Sequence, residues 1–292
     1  MNRSIFSSIL ILGSLLVSAV ASAQPPGANI GEVNCTRGGL QNAVDYYIRA
    51  QTEGDPALMP LANGVGYQEN IDPADINDSI VTKPMDIRHH FSLLDEDSCQ
   101  TFTEVIVTDP DEPYVIGTRL RVNHGLIAEV ETIWTTTGYW LFNADNYLSR
   151  STMEDWGPIP AEDRDTRGTL VSAANAYLDA FLEGKIDLVP WGFPCTRVEG
   201  GAITGGAGRG GQERPNDSCE AGVPAGVNIA NRRFVVDEVI GSVVVYCTFG
   251  AGGPNGGSGA ADTHLFRVEN GKLRYVHTLT HLLQADFQGG GG

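Results

Sequence analysis

Apolar and polar positions recur along this chain with two periods, and each period comes twice. Leu40, Ala43, Val44, Tyr47, Ile48 and Gln51 follow helical spacing, and Gly54-Asp55 stops the run. Leu170, Ala173, Ala174, Tyr177, Leu178 and Phe181 repeat the stripe, and Gly184 ends it. Strand-like runs follow each helix. The first half places them at 101–108, 114–122 and 126–135, with a turn of Asp and Pro at 109–113 and another at Asn123-His124-Gly125. The second half places them at 233–240, 242–249, 263–268 and 272–280, the last two joined through Asn270-Gly271, a strong hairpin signal. A short irregular segment is expected between helix and strands in each half, holding Glu69 or Glu199. His89-His90 reads as surface or turn, because neighbours on an extended chain point opposite ways.

The two halves share words as well as periods. LQNAVDYYIRAQTEG at 40–54 matches LVSAANAYLDAFLEG at 170–184, and at the same offset Leu58, Pro60 and Glu69 meet Leu188, Pro190 and Glu199. RVNHGLIAEVETI at 121–133 matches RVENGKLRYVHTL at 267–279, after an insertion of about sixteen residues in the second half. A helix matching a helix and a terminal hairpin matching a terminal hairpin, in the same order, indicate a duplicated domain. The expected fold class is α+β: two tandem domains, 24–150 and 151–287, each with helices packed on a curved, mainly antiparallel sheet. The connecting segment 141–164, with Trp140 just before it and Trp156 inside it, should pack the domains together. The Gly-rich stretches 200–211 and 251–261 and the tail 288–292 read as loose.

The start of the chain adds a location. Met1-Asn2-Arg3 is basic, 5–20 is mostly apolar, and Ala21-Ser22-Ala23 is a small-residue cleavage signal, so 1–23 is expected to be a signal peptide and the protein secreted or periplasmic. Cysteines in an exported chain should be oxidised where geometry permits. Cys195 and Cys219 bracket a Gly-rich insertion, Cys35 and Cys99 can tie helix to sheet, and Cys247, in an apolar run, is left as a buried thiol. Asn34, Asn77 and Asn216 open glycosylation sequons, which matter only in a eukaryotic host. A net charge of -17 argues against nucleic acid and anionic membranes as partners and leaves a neutral or aromatic small molecule. Self-association into a homo-oligomer stays open.

Several words resemble a known superfamily. They are Tyr67 to Asn70 (Y-x-E-N), Pro194 to Gly201, Arg232 to Glu238, His264 to Val268 and Arg274 to Thr278. With the order helix, corner segment, meander, they are similar to NTF2-like (SnoaL-like) proteins, and the second half to a secreted fungal and bacterial group of them. The resemblance implies cone-shaped domains, each with one pocket between helices and the concave sheet face. It is weak for reaction, since the fold hosts isomerases, cyclases, dehydratases, epoxide hydrolases and plain binders. Some members cleave β-aryl ethers of lignin-derived aromatic dimers.

Candidate chemistry follows from strand parity. Leu273, Tyr275, His277 and Leu279 share one face, as pocket wall or as core pair, and His277 is the favoured general acid or base. Glu129 and Glu131 stand on the equivalent stripe of the first half, as a pocket, a solvated face or an interdomain ion-pair surface. Glu199 and Asp237 are candidate partners of the catalytic histidine, and Asp237 with His264 a candidate oriented pair. Arg197, Tyr275, His264 and Tyr177 are candidate substrate-binding residues, Arg197 also a candidate structural partner of Glu199. No cofactor is expected, and no metal, because His277 and His281 lack an identifiable third ligand. Gly206-x-Gly208-x-x-Gly211 lacks the strand and helix a dinucleotide site needs, and Gly257-Ser258-Gly259 is no nucleophile elbow. The functional expectation is an exported, cofactor-independent acid-base enzyme on a small aromatic molecule, first a hydrolase of a β-aryl ether. The alternatives are a lyase, isomerase or dehydratase, or a small-molecule binder.

Overall fold

A computed structural model describes residues 30–206, 214–220, 223, 225–251 and 259–287. The leader, the tail 288–292, Gly208, Gly211 and Gly257-Ser258 lie outside the described residues. Residues 31–292 cluster as one compact unit.

Each half opens with a capped helix. Thr36 caps α1 (Arg37–Glu53) by accepting from the Gly39 amide, and Thr166 caps α3 (Arg167–Glu183) by accepting from Thr169. Both helices end on a left-handed glycine, Gly54 at φ 68° and Gly184 at φ 67°, whose amide returns to the last turn. Between these stops the apolar stripe goes under: Leu40, Ala43, Val44 and Tyr47 in α1, and Leu170, Ala174, Tyr177 and Leu178 in α3, are fully buried. Deleting such a leucine side chain costs about 2–5 kcal/mol.

Two six-stranded mixed sheets follow, so the protein is α+β with two tandem domains. The first contains β1 (Leu61–Glu69), β2 (Asp72–Pro73), β3 (His89–Asp95), β4 (Gln100–Val107), β5 (Tyr114–Asn123) and β6 (Leu126–Thr136), in the order β2-β1-β6-β5-β4-β3. The second contains β7 (Trp191–Glu199), β8 (Ala202–Gly205), β9 (Ile229–Asp237), β10 (Ser242–Phe249), β11 (Ala260–Glu269) and β12 (Lys272–His281), in the order β8-β7-β12-β11-β10-β9. The topologies are identical, down to the parallel pairs β1 with β6 and β7 with β12. The hairpin turns take left-handed backbone where Asn or His and Gly permit it, at His124-Gly125 and Asn270-Gly271.

Several segments differ from expectation, among them the stretch 200–211, read as loose, which holds β8. The irregular corner segments are strands β1 and β7. They bear glycine and no regular apolar alternation, and their order comes from parallel pairing with β6 and β12, which lie far away in sequence. His89-His90 is no turn but opens β3, an antiparallel partner of β4. The connecting segment forms α2 (Ala144–Met153), so the boundary drawn at 150/151 falls inside a helix. A last turn of helix, α4 (Gln284–Phe287), ends the described chain.

Each sheet packs one face on its helix. The opposite faces pack on each other, through Leu93, Phe102 and Ile133 from the first sheet and Val235, Val244, Tyr246 and Leu265 from the second. Burial on both faces is why β4, β10 and β11 are buried along nearly their whole length rather than alternating. Reciprocal clamps join the halves. The Arg37 guanidinium donates to both Asp237 carboxylate oxygens at 3.0 and 2.9 Å, and Arg167 donates to both oxygens of Asp95 at 2.7 and 3.0 Å. Asp237 also accepts from the Leu94 amide and Asp95 from the Val236 amide, each at 2.9 Å. The contacts that one half makes to the other are thus returned, as in a two-fold dimer interface carried on a single chain.

Candidate functional site

One group of polar residues converges on the helix side of the second sheet. Asp262 and His264 sit two apart on β11 and therefore share a face. The His264 Nδ1 lies 3.0 Å from the Asp262 Oδ2, and Thr280 on β12 donates to the Asp262 Oδ1 at 2.9 Å. Cys247 on β10 pairs in register with Asp262, and its Sγ lies 3.7 Å from the Asp262 Oδ2 and 3.9 Å from the His264 Nδ1. All three residues are buried. Burial, then the neighbouring Asp262 carboxylate, pushes the Cys247 thiol pKa well up, so it stays protonated.

Tyr177 approaches from α3. Its ring packs against Phe266, Phe181, His264 and Trp191 at 5.1–5.8 Å between centroids. Its hydroxyl is fully buried and makes no hydrogen bond of good geometry, although the Arg197 guanidinium interacts with it. Burial raises its pKa, opposed by the Arg197 charge, so the group remains a phenol. Arg197 on β7 is buried and held on several sides. Its Nε lies 3.1 Å from Glu199 and 2.9 Å from the Thr204 hydroxyl, and its Nη1 donates to the Cys219 carbonyl at 3.1 Å. Tyr177, Arg197, Glu199 and His264 therefore belong to one interior.

The first half shows what the same frame does without this chemistry. In register, Val105 pairs with Ile116 where Cys247 pairs with Asp262, and Thr118 pairs with Thr132 where His264 pairs with Thr278. There Tyr47, the counterpart of Tyr177, accepts from the Thr118 hydroxyl at 2.8 Å. Glu69, the counterpart of Glu199, closes the corner by accepting from Tyr67 at 2.5 Å, Trp134 Nε1 at 2.9 Å and the Ile80 amide at 2.9 Å. The first half thus pairs its helix tyrosine and its corner acid, whereas the second places a buried Cys, Asp and His beside its helix tyrosine.

Three expected site residues lie elsewhere. Asp237 does not pair with His264: β10 runs between their strands, and the Asp237 carboxylate is consumed by Arg37 and by the Leu94, Val239 and Ile240 amides. His277 and Tyr275 have the shared face that parity assigns, but it faces the other sheet. The His277 Nε2 lies 2.6 Å from Glu154, its ring packs on Tyr147 and Trp156, and Glu104 stands 3.9 Å from its Nδ1. Burial by itself would lower the His277 pKa, but the charge and close contact of Glu154, with Glu104 nearby, outweigh it and raise the pKa to about 10. An imidazole held protonated in this way is an ion-pair partner, not a base at neutral pH. Tyr275 accepts from the Asp155 amide at 3.3 Å and packs on Trp156. Glu131, at the position of His277 in the first half, pairs with Arg119 at 3.0 Å and with Arg233 across the interface.

Asp262 is the residue that sequence reasoning passed over. Its signal was the D-T-H word at 262–264, which puts an acid and an imidazole on one strand face. Disulfides join Cys35 to Cys99 and Cys195 to Cys219, and Cys247 is a buried free thiol. The disulfides fit an oxidising compartment. Among the described residues no helix is long and apolar enough to cross a membrane. One family model, described as a domain of unknown function (DUF8021), matches residues 163–280, the second half from just before α3 to near the end of β12. No curated protein matches the chain.

Proposed function

We propose that the second half is an acid-base site for a small aromatic molecule, on an NTF2-like domain, in an exported protein that needs no organic cofactor. The observation that carries this reading is the Tyr177 hydroxyl. A buried hydroxyl without a partner costs about 1–3 kcal/mol, and the first half avoids that cost with Thr118. Keeping the hydroxyl unpaired beside His264, Asp262 and Arg197 gives a ligand something to bind.

The roles follow from the geometry. Asp262 accepts from the His264 Nδ1–H, which fixes the tautomer and leaves the lone pair on Nε2 as the general base. Tyr177 stays protonated and donates to an oxygen that gains charge, such as a departing phenolate. Arg197, anchored by Glu199, Thr204 and Cys219, supplies fixed positive charge behind it. Phe181, Trp191 and Phe266, packed on the Tyr177 ring, offer the aromatic surface that a planar substrate would share. Cleavage of a lignin-type β-aryl ether is the first reaction to try.

The test is mass spectrometry of the exported chain incubated, without added cofactor, with a panel of aromatic dimers. Release of a phenol that disappears in Asp262→Asn and Tyr177→Phe, both folded, supports the enzyme. Thermal stabilisation by a dimer without product assigns a binder. Neither product nor stabilisation across the panel refutes the reading.

A further inference from the structure

We infer that Cys247, Asp262 and His264 form a binding site for one thiophilic divalent cation of the zinc type. The three ligand atoms come from adjacent strands and lie 3.0, 3.7 and 3.9 Å apart. A tetrahedral zinc with sulfur at about 2.3 Å and nitrogen and oxygen at about 2.0–2.1 Å needs edges of about 3.3–3.6 Å. Each observed edge reaches that range by a shift of about 0.4 Å or less, within the freedom of a side-chain rotation.

Charge balance favours the same reading. A thiolate and a carboxylate neutralise a dication, so the loaded site is neutral overall in a place where net charge is costly. On binding, Cys247 releases its thiol proton to solvent, the His264 proton passes from Nδ1 to Nε2, and nothing is oxidised or reduced. One sulfur, one nitrogen and one oxygen suit zinc, cobalt or copper better than magnesium or calcium. Three protein ligands leave a fourth position for water or substrate. The fold does not require these residues, since Val105, Ile116 and Thr118 fill the same register in the first half.

The inference stands apart from the catalytic reading, because the ligands bind a cation whether or not the site turns over substrate. The two uses of the His264 Nδ1 exclude each other, so the loaded protein lacks the general base of the dyad.

The experiment expresses the full chain in medium supplemented with cobalt, so that metal is present while the protein folds. Cobalt per chain is then counted by elemental analysis and the absorption spectrum recorded. The expected result is one equivalent, a thiolate-to-cobalt charge-transfer band and the intense visible bands of tetrahedral cobalt, bleached by zinc. Cys247→Val and His264→Thr, which install the first half's residues, should lose the bound metal. Cys247→Ser, closer in size, decides if Cys247→Val fails to fold. Folded wild-type protein without the charge-transfer band overturns the site, and so does a band that survives loss of the Cys247 sulfur. Product release from aromatic dimers by the metal-free protein is read separately, so the failure of one claim leaves the other standing.

Discussion

Replacing Asp237 by alanine separates a structural acid from a catalytic one. The carboxylate is 1% exposed and accepts five hydrogen bonds: two from Arg37 and one each from the Leu94, Val239 and Ile240 amides. The Arg37 side chain is 35% exposed and can recover water, so its share is discounted. The amides have no such recourse, and each left unpaired costs about 1–3 kcal/mol unless water enters the space. A total of about 3–5 kcal/mol follows, the range for breaking a buried charge pair. For a unit of this size that lowers the melting temperature by roughly 10 °C. Circular dichroism melts of wild type, Asp237→Ala and Asp95→Ala measure it, and the reciprocal clamps predict losses of similar size for the two variants. Any activity found should fall only as far as the folded fraction does. A variant that melts like wild type but has lost turnover would refute the reasoning and return Asp237 to the catalytic site.

The two helix tyrosines give a contrast by urea unfolding. Tyr47→Phe should cost about 1 kcal/mol through its bond from Thr118, and Tyr177→Phe should be neutral or slightly stabilising; equal losses would contradict the unpaired hydroxyl. His277 carries a pH signature. Its folded pKa is raised from 6.5 to about 10, so its contribution is full below 6.5 and is lost as pH rises through about 10. His277→Gln should flatten that part of the stability profile, and an unchanged slope would exclude the ion pair with Glu154. The disulfides close separations of 64 and 24 residues, worth about 4 and 3.5 kcal/mol by chain entropy. The Cys35→Ala/Cys99→Ala variant should therefore melt no higher than Cys195→Ala/Cys219→Ala, and the opposite order would locate the stabilisation in native-state contacts.

Local chemistry along the chain is enough for the parts whose order is local. Helices α1 and α3 were legible because apolar stripe and terminal glycine lie within one stretch of sequence. The terminal hairpins were legible because Asn-Gly and His-Gly turns force them. The duplication followed from repeated words, and the partition of the cysteines from their count and surroundings. Strands β1 and β7 were not legible, since their parallel partners β6 and β12 lie far along the chain, and β3 was missed although it forms a hairpin with the adjacent β4. The same limit governed the site. Period two places Tyr275 and His277 on one face and Asp262 and His264 on one face, but not which face meets a helix and which meets another sheet. Only the tertiary structure decides that, because the two sheets bury their second faces against each other. That packing turned His277 and Asp237 into ion-pair partners and left Asp262, His264 and an unpaired Tyr177 hydroxyl inside the second half.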